Sequence, residues 1–274
     1  MNKKYKKIYI EIINYCNLNC PFCEKTKRPK EMMTIDHFSH VLDEIKPYTD
    51  YIYLHVQGEP LMHKDIKSFL DIANEKGFFV NITTNATLLG NNIDLLINAK
   101  AVRQINISLQ ALLELPNKEL YYDNIIKLIK ENKNIYISLR LWGDFSTEKV
   151  QNELQYFEKQ LNIKSNIEET NRLKERLYVS KAEKFKWPSL DDDFNSSLGS
   201  CEAIHQLAIL ANGDVIPCCL DKDGIMTMGN IFTTPLKDIL LSNRYQEMIS
   251  SFRKGKLTEE LCKHCTYLNR FKKS

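Results

Sequence analysis

The chain has 274 residues, 43% hydrophobic and 27% charged, a balance that excludes a disordered protein and allows a sizeable core. The net charge of +3 is spread along the sequence, so composition indicates neither nucleic acid nor a membrane as a partner, and the basic ends Lys3–Lys7 and Arg270–Lys273 are interpreted as solvated tails. There is no signal peptide and no apolar run near the roughly 20 residues that span a bilayer, so a cytoplasmic protein is predicted.

Short apolar runs alternate with helical stripes through the first 168 residues. The runs rich in Ile, Tyr, Phe and Val predict strands at Ile8–Ile13, Tyr51–Val56, Phe78–Thr83, Gln104–Leu109 and Ile135–Trp142. Helical spacing predicts helices at Ile35–Ile45 behind an N-cap at Thr34, Ile66–Ala73, Leu120–Ile129 and Val150–Leu161. Such alternation is typical of parallel strands with helical crossovers, so residues 1–168 are predicted to form an α/β sheet, open or curved towards a barrel.

The rest of the chain has a different pattern. Residues 169–200 become charged and then polar, and are predicted to be a linker. A second unit, 201–274, begins with Asn212-Gly213 between two apolar runs, which predicts a β-hairpin because both central turn positions need positive φ. The stripes Leu236–Leu241 and Tyr245–Phe252 predict an amphipathic helix leading to the last cysteine pair.

The eight cysteines fall into two groups, and in a reducing compartment such groups indicate metal ligation rather than disulfides. Cys16, Cys20 and Cys23 follow the first strand, with three and then two residues between them. A loop of this spacing can present three thiolates to a 4Fe–4S cluster and leave one iron without a cysteine. The alternatives are a three-thiolate zinc site or unligated buried cysteines. A structural zinc site requires a fourth ligand nearby, and none is evident before His37.

This spacing resembles the CxxxCxxC signature of the radical S-adenosylmethionine superfamily. The resemblance implies a partial (β/α)6 barrel whose 4Fe–4S cluster binds S-adenosylmethionine at the open iron. It also implies reductive cleavage of S-adenosylmethionine to a 5′-deoxyadenosyl radical, which abstracts hydrogen from a substrate. Gly58-Glu59-Pro60 resembles the family's glycine–glutamate loop, which binds the amino group of the methionine moiety, although the family usually has glycine where this chain has Gln57.

Further cofactor contacts follow from the same resemblance. Thr84, Asn85 and Ser108 resemble positions near the nucleoside, and Arg140 resembles a partner of the methionine carboxylate. Strand ends are where α/β folds bind ligands, which agrees with these positions. Tyr53, His55, Glu114 and Asp144 are candidates to face the barrel mouth, although no spacing identifies a catalytic acid or base.

The C-terminal cysteines resemble the extension of radical enzymes called SPASM, or its shorter form, twitch. The resemblance includes the Cys-x11-Gly-x4-Cys spacing and the segment Met228–Ile231, and it implies a small α+β domain with one auxiliary 4Fe–4S cluster held by Cys201, Cys218, Cys262 and Cys265. A tetrahedral zinc site with the same ligands is the alternative. Cys219 could replace Cys218, but strand neighbours point to opposite faces, so Cys219 is interpreted as a packing residue.

These resemblances imply a radical S-adenosylmethionine oxidoreductase acting on a peptide or protein. Cys16 lies close to the N-terminus, so no leader-binding domain is expected before the barrel. One alternative is a radical dehydrogenase of a small molecule such as a sugar or cyclitol, and a non-catalytic alternative is a metal-stabilised interaction module. An electron donor such as flavodoxin or ferredoxin is expected, with no nucleic-acid or membrane partner.

Overall fold

The structure is a computed structural model that describes residues 4–109, 115, 118–142, 148–164, 171–182 and 186–271. Its strands are β1 Lys7–Ile10, β2 Tyr51–Tyr53, β3 Phe79–Thr84, β4 Val102–Ser108, β5 Tyr136–Trp142, β6 Asn171–Lys174, β7 Leu177–Ala182, β8 Gln206–Ile209, β9 Asp214–Ile216 and β10 Gly229–Asn230. Its α-helices are α1 Ile35–Ile45, α2 Ile66–Glu75, α3 Ile93–Asn98, α4 Glu119–Glu131, α5 Glu148–Leu161, α6 Leu236–Leu241, α7 Asn243–Arg253 and α8 Glu260–Lys263. None of the helices in these ranges combines the length and apolar character needed to cross a bilayer.

The chain divides into two compact units. The first contains Met1–Tyr15, Glu24–Gly58 and Phe185–Ser274, and the second contains Cys16–Cys23 and Glu59–Lys184. In the first unit the strand order is β10-β9-β8-β1-β2, with β1 parallel to both β8 and β2 and with antiparallel pairing from β8 to β10. The C-terminal hairpin is therefore joined to β1 by main-chain hydrogen bonds.

Helix α1 forms where the sequence predicts it. The hydroxyl of Thr34 accepts a hydrogen bond from the His37 N–H at 3.1 Å, which satisfies one of the free donors at the start of the helix. Four residues on one face are buried, namely Phe38, Val41, Leu42 and Ile45. The helix ends at the residue before Lys46, since Pro47 follows and cannot continue it.

The hairpin of the first unit is confirmed, with a different turn. Leu210 donates to Asp214 O and accepts from the Gly213 N–H, so the loop has three residues and Gly213 takes the left-handed position with φ of 88°. Asn212 does not have a positive φ, so the turn is not the two-residue type that the sequence predicts.

The second unit contains four parallel strands, in the order β3-β4-β5-β7, with β6 antiparallel at the edge. One face of this sheet is apolar and buried, as Ile82, Ile105 and Leu139 show. The other face carries the register partners Thr83, Asn106, Ser138 and Tyr178 from four successive strands. Because strand residues alternate between faces, this second face is polar across its width.

Two features differ from the sequence-based prediction. Strands β6 and β7 lie inside the range 169–200 that was predicted as a linker, and β7 pairs with β5 over six register positions from Ile137↔Leu177 to Trp142↔Ala182. The predicted single helix near the C-terminus is two helices, because the Ser242 hydroxyl accepts from the Tyr245 N–H at 3.3 Å and starts α7 anew.

Candidate cofactor site

Gly58 lies where no other residue fits without movement of the backbone. Its φ is 79°, and a Cβ built on it would lie 2.3 Å from the carbonyl oxygen of Ile13 and 2.9 Å from that of Tyr15. Tyr15 directly precedes Cys16 in sequence, so the glycine allows the loop to approach the segment that leads into the cysteine triad. Gln57, which departs from the family pattern, does not have a positive φ, so its conformation needs no glycine.

Glu59 is a buried carboxyl group held by three donors. The residue is 1% exposed, and its carboxylate accepts from the Leu61 N–H at 3.0 Å, the Thr84 hydroxyl at 2.7 Å and the Asn85 N–H at 2.7 Å. Burial raises the pKa of Glu59 to about 7, and the three hydrogen bonds oppose that rise. The carboxyl group is therefore fixed in position and able to ionise near neutral pH, as a group that binds an ammonium ligand must be.

Asn85 connects Glu59 with the first cysteine of the triad. Its backbone N–H donates to Glu59, while its side-chain Nδ2 donates to Cys16 Sγ at 3.3 Å and to Asn17 Oδ1 at 2.9 Å. The next residue, Ala86, has a left-handed φ of 61°, and its N–H donates to the Thr84 hydroxyl at 2.9 Å. A non-glycine residue in this conformation is strained, and such strain is common at binding sites.

The triad cysteines fit a thiolate-ligated cluster. All three residues are partly exposed. The loop is closed by the Cys23 N–H donating to Cys20 O at 3.0 Å, and the Leu18 N–H donates to Cys16 Sγ at 3.4 Å. Soft thiolate ligands with N–H donors to sulfur are the donor set of iron–sulfur clusters.

The remaining predicted contacts fall on neighbouring strands. Ser108 and Arg140 are register partners near the carboxyl ends of β4 and β5, and both are partly exposed. Thr84 is buried, and its hydroxyl donates a hydrogen bond to the Glu59 carboxylate, so the structure places it as a support for Glu59. Glu114 and Asp144 lie outside the described residues.

The four predicted C-terminal cysteines all lie in the first unit, and their pKa values depend on one another. Burial raises the pKa of Cys201 to about 11, and Cys265 adds to the rise. Burial, Cys201 and Cys265 raise the pKa of Cys262, while a hydrogen bond with Cys219, burial and Cys201 raise the pKa of Cys218 well above its usual range. These pKa shifts show that the thiols interact electrostatically. Among the described residues, no three His, Cys, Asp or Glu side chains are grouped so that they could hold a single metal ion, so the assignment of these four cysteines to one cluster rests on the thiolate donor set.

Cys219 has different surroundings from Cys218. It packs against a buried apolar cluster that includes Tyr9, Ala208 and Ile216, which agrees with its interpretation as a packing residue. The sulfur of Cys218, by contrast, accepts from the Leu220 N–H at 3.4 Å.

Sequence reasoning missed a buried ion pair next to the glycine–glutamate loop. Glu11 is fully buried, and its carboxylate accepts from Arg28 Nη2 at 2.6 Å, from the Gln57 N–H at 3.1 Å and from the Ala211 N–H at 3.3 Å. Arg28 also donates through Nε to Lys222 O at 3.0 Å. Burial raises the pKa of Glu11, and the Arg28 guanidinium opposes that rise. No local pattern could have shown this network, because its five members, from Glu11 to Lys222, are far apart in the sequence.

Comparison with known proteins identifies the family. The model of the radical SAM superfamily matches residues 10–142, and that of the SPASM iron–sulfur cluster-binding domain matches residues 201–266. A curated relative, the tungsten-containing aldehyde ferredoxin oxidoreductase cofactor-modifying protein of Pyrococcus furiosus, is 34% identical over 88 residues, which is 31% of this chain and 25% of that protein. The matches with the next two curated relatives cover 31% and 29% of their lengths, so the similarity spans only a part of each protein.

Solved structures of two proteins share the fold along nearly the whole chain. BtrN in complex with AdoMet and 2-DOIA is 17% identical, with a TM-score of 0.63 over 97% of this chain and 94% of that one. Streptococcus suis SuiB bound to S-adenosylmethionine is 20% identical, with a TM-score of 0.63 over 99% of this chain and 75% of that one. SuiB has also been solved bound to its precursor peptide SuiA, with a TM-score of 0.57 and 17% identity over 99% of this chain and 74% of that one.

These findings confirm the predicted α/β fold with a partial barrel. They also confirm the predicted cofactors, which are a 4Fe–4S cluster, an auxiliary iron–sulfur cluster and S-adenosylmethionine, and they favour iron–sulfur over zinc at the C-terminal site. The chain therefore belongs to the radical S-adenosylmethionine superfamily and carries a C-terminal SPASM iron–sulfur cluster-binding domain.

Proposed function

We propose that the protein is a radical S-adenosylmethionine oxidoreductase that abstracts hydrogen from a peptide or protein. The observation that carries the proposal is the hydrogen-bond path from Cys16 through Asn85 to Glu59. This path joins a ligand of the first cluster to the carboxyl group that resembles the family's binder of the methionine amino group. A metal-stabilised interaction module would not need a buried carboxyl group connected to its cysteines in this way.

In this proposal Cys16, Cys20 and Cys23 hold the first cluster. When bound and reduced, the cluster would supply one electron for the cleavage of S-adenosylmethionine to methionine and the 5′-deoxyadenosyl radical. For this step the protein has to hold S-adenosylmethionine in position. Glu59 binds its amino group, and Thr84 and Asn85 hold Glu59 in place.

Two neighbouring strand ends complete the proposed cofactor site. Arg140 pairs with the methionine carboxylate, and Ser108, its register partner on β4, contacts the nucleoside. In α/β folds, ligands commonly bind outside the carboxyl ends of the parallel strands, next to the loops that follow them.

The C-terminal site has a separate role. We assign Cys201, Cys218, Cys262 and Cys265 to the auxiliary cluster, within a domain at 201–274 that follows the barrel residues 1–168 and the segment 169–200. Four protein ligands leave this cluster without an open iron, so it transfers electrons or stabilises its domain rather than binding substrate. A flavodoxin or ferredoxin is the proposed source of the electron for the first cluster.

A polar substrate surface supports a peptide as the substrate. The face of the second unit's sheet that carries Thr83, Asn106, Ser138 and Tyr178 offers hydroxyl and amide groups in one row. Such groups can form hydrogen bonds with the backbone amides of a peptide, and a buried peptide group needs such partners. SuiB, which has the same fold, has been solved with a precursor peptide.

A small-molecule dehydrogenase is the second candidate. BtrN, solved with 2-DOIA, matches this chain over 94% of its own length, so the two share one architecture from end to end. The hydroxyl groups in the polar row, from Thr83, Ser138 and Tyr178, would bind the hydroxyl groups of a sugar or cyclitol in this second candidate.

Affinity for S-adenosylmethionine tests the cofactor site. Anaerobically reconstituted wild type, Glu59→Gln and the exposed control Glu75→Gln would be compared by equilibrium dialysis with labelled S-adenosylmethionine. A hydrogen bond to a charged group contributes about 1.5–3 kcal/mol, so Glu59→Gln should bind roughly 10- to 100-fold more weakly while Glu75→Gln is unchanged. Wild-type affinity in a folded Glu59→Gln protein would contradict the assignment.

Formation of 5′-deoxyadenosine separates the two substrate classes. The reduced enzyme would be incubated with peptides encoded beside its gene and, separately, with a panel of sugars and cyclitols. Stimulation above the substrate-free rate by a peptide, with a matching mass loss in that peptide, supports the first candidate. Stimulation by a polyol alone supports the second.

A further inference from the structure

The sulfur of Cys218 accepts a hydrogen bond from a side chain. The amide Nε2 of Gln206 donates to Cys218 Sγ at 3.6 Å, in addition to the backbone donor of Leu220 at 3.4 Å. All three residues belong to the first unit. The backbone donor is fixed by the course of the chain, whereas the amide donor depends on the identity of one residue.

Gln206 occupies an otherwise apolar strand. It is 8% exposed, and the next three residues of β8, Leu207, Ala208 and Ile209, are fully buried. A buried amide without a hydrogen-bond partner costs about 1–3 kcal/mol, so an apolar side chain would be the more stable choice here unless the amide has partners. Cys218 Sγ is one such partner, which makes the contact the reason for a polar residue at this position.

We propose that Gln206 raises the reduction potential of the auxiliary cluster by donating a hydrogen bond to Cys218. This inference rests on the proposed assignment of Cys218 as a cluster ligand. A cluster with four thiolate ligands becomes more negative when it gains an electron, so an N–H donor at a ligand sulfur stabilises the reduced form more than the oxidised form. Gln206 is thus a positioning residue that makes this cluster a better electron acceptor.

The experiment isolates the auxiliary cluster in the full-length chain. Cys16, Cys20 and Cys23 are replaced by Ala, the protein is reconstituted anaerobically, and the potential is measured by a redox titration followed by electron paramagnetic resonance. Gln206→Met, which keeps the side-chain length and removes the donor, should retain the parent's iron content and shift the midpoint potential to a more negative value. Gln246→Met is the matched control on α7, where the exposed glutamine donates to a backbone carbonyl, and it should leave the potential unchanged.

A second variant keeps the inference testable if Gln206→Met does not hold a cluster. Gln206→Glu replaces the donating nitrogen with a carboxylate oxygen and should also shift the potential to a more negative value. Equal potentials in the parent and in a loaded variant would overturn the inference, and so would loss of the cluster from both variants, since Gln206 would then serve structure alone. A parent that binds no iron would instead refute the assigned cysteine ligands, together with the inference.

Discussion

Glu59→Gln should remove a pH dependence from the stability of the apoprotein. Burial raises the pKa of Glu59 to about 7 from its ordinary value of 4.5, so folding disfavours the ionised carboxylate. Below pH 4.5 the group is protonated in both states and has no ionisation cost. As the pH rises towards 7 the unfolded state releases its proton first, and the free energy of unfolding falls by about 3 kcal/mol in total.

Urea unfolding of the apoproteins at pH 5 and pH 8 measures this effect. Between these pH values the wild type should lose about 2–3 kcal/mol of stability relative to Glu59→Gln, because the glutamine cannot ionise. The introduced glutamine places an amide nitrogen against one backbone donor, which costs about 1–3 kcal/mol at both pH values and leaves the difference unchanged. Glu75→Gln, at the exposed end of α2, should retain the wild-type dependence. The same pH dependence in Glu59→Gln as in wild type would refute the buried-carboxyl interpretation.

Three further substitutions test other parts of the site. Gly58→Ala should destabilise the protein by at least about 1–2 kcal/mol, because the left-handed φ and the close carbonyl contacts penalise a Cβ. Calorimetry should also show weaker binding of S-adenosylmethionine. A variant with unchanged stability and unchanged binding would count against this loop geometry. Arg28→Met should lower the free energy of unfolding in urea by about 3–5 kcal/mol, because it leaves the Glu11 charge buried without a partner. Adding Glu11→Gln should recover part of this loss. Additive losses in the double variant would contradict the ion-pair argument. Cys218→Ala should remove iron from the auxiliary site while Cys219→Ala keeps it, and iron analysis giving the opposite pattern would reverse the ligand assignment.

The elements that sequence predicts well are those with local signals. Helix α1 has an apolar stripe, a capping threonine and a following proline, and all three act within a few residues of one another. Strands β3, β4 and β5 each carry buried apolar residues on one face, so they stand out from the polar loops around them.

The β6–β7 hairpin shows why the remainder was missed. Its turn places Arg176 at φ of 62°, a conformation that glycine or asparagine usually takes, so the usual turn signal is absent. Strand β7 is defined by parallel pairing with β5, and such a contact between distant residues leaves no mark in the local sequence. Charged residues on β6 and in the turn then made the segment resemble a linker.

The candidate site also has parts that the sequence predicts and parts that it does not. The cysteine triad and Gly58-Glu59 can be found from sequence because their spacing is local. The role of Thr84 as a donor to Glu59 and the sulfur contact of Asn85 depend on how the loop after β3 turns towards the loop after β2, which no spacing reveals.

Gln57 shows how a departure from a family pattern can be resolved by its contacts. The sequence leaves the loop conformation open there, because the family usually has glycine. In the structure Gln57 uses its backbone N–H, which donates to Glu11, and it has no positive φ that would demand glycine. The buried pair of Glu11 and Arg28 thus holds the chain at the position before Gly58, and the strain in the loop falls on Gly58, where the absence of a side chain makes it tolerable. The substitution is therefore compatible with the family's loop, because one glycine accommodates both the left-handed conformation and the close backbone approach.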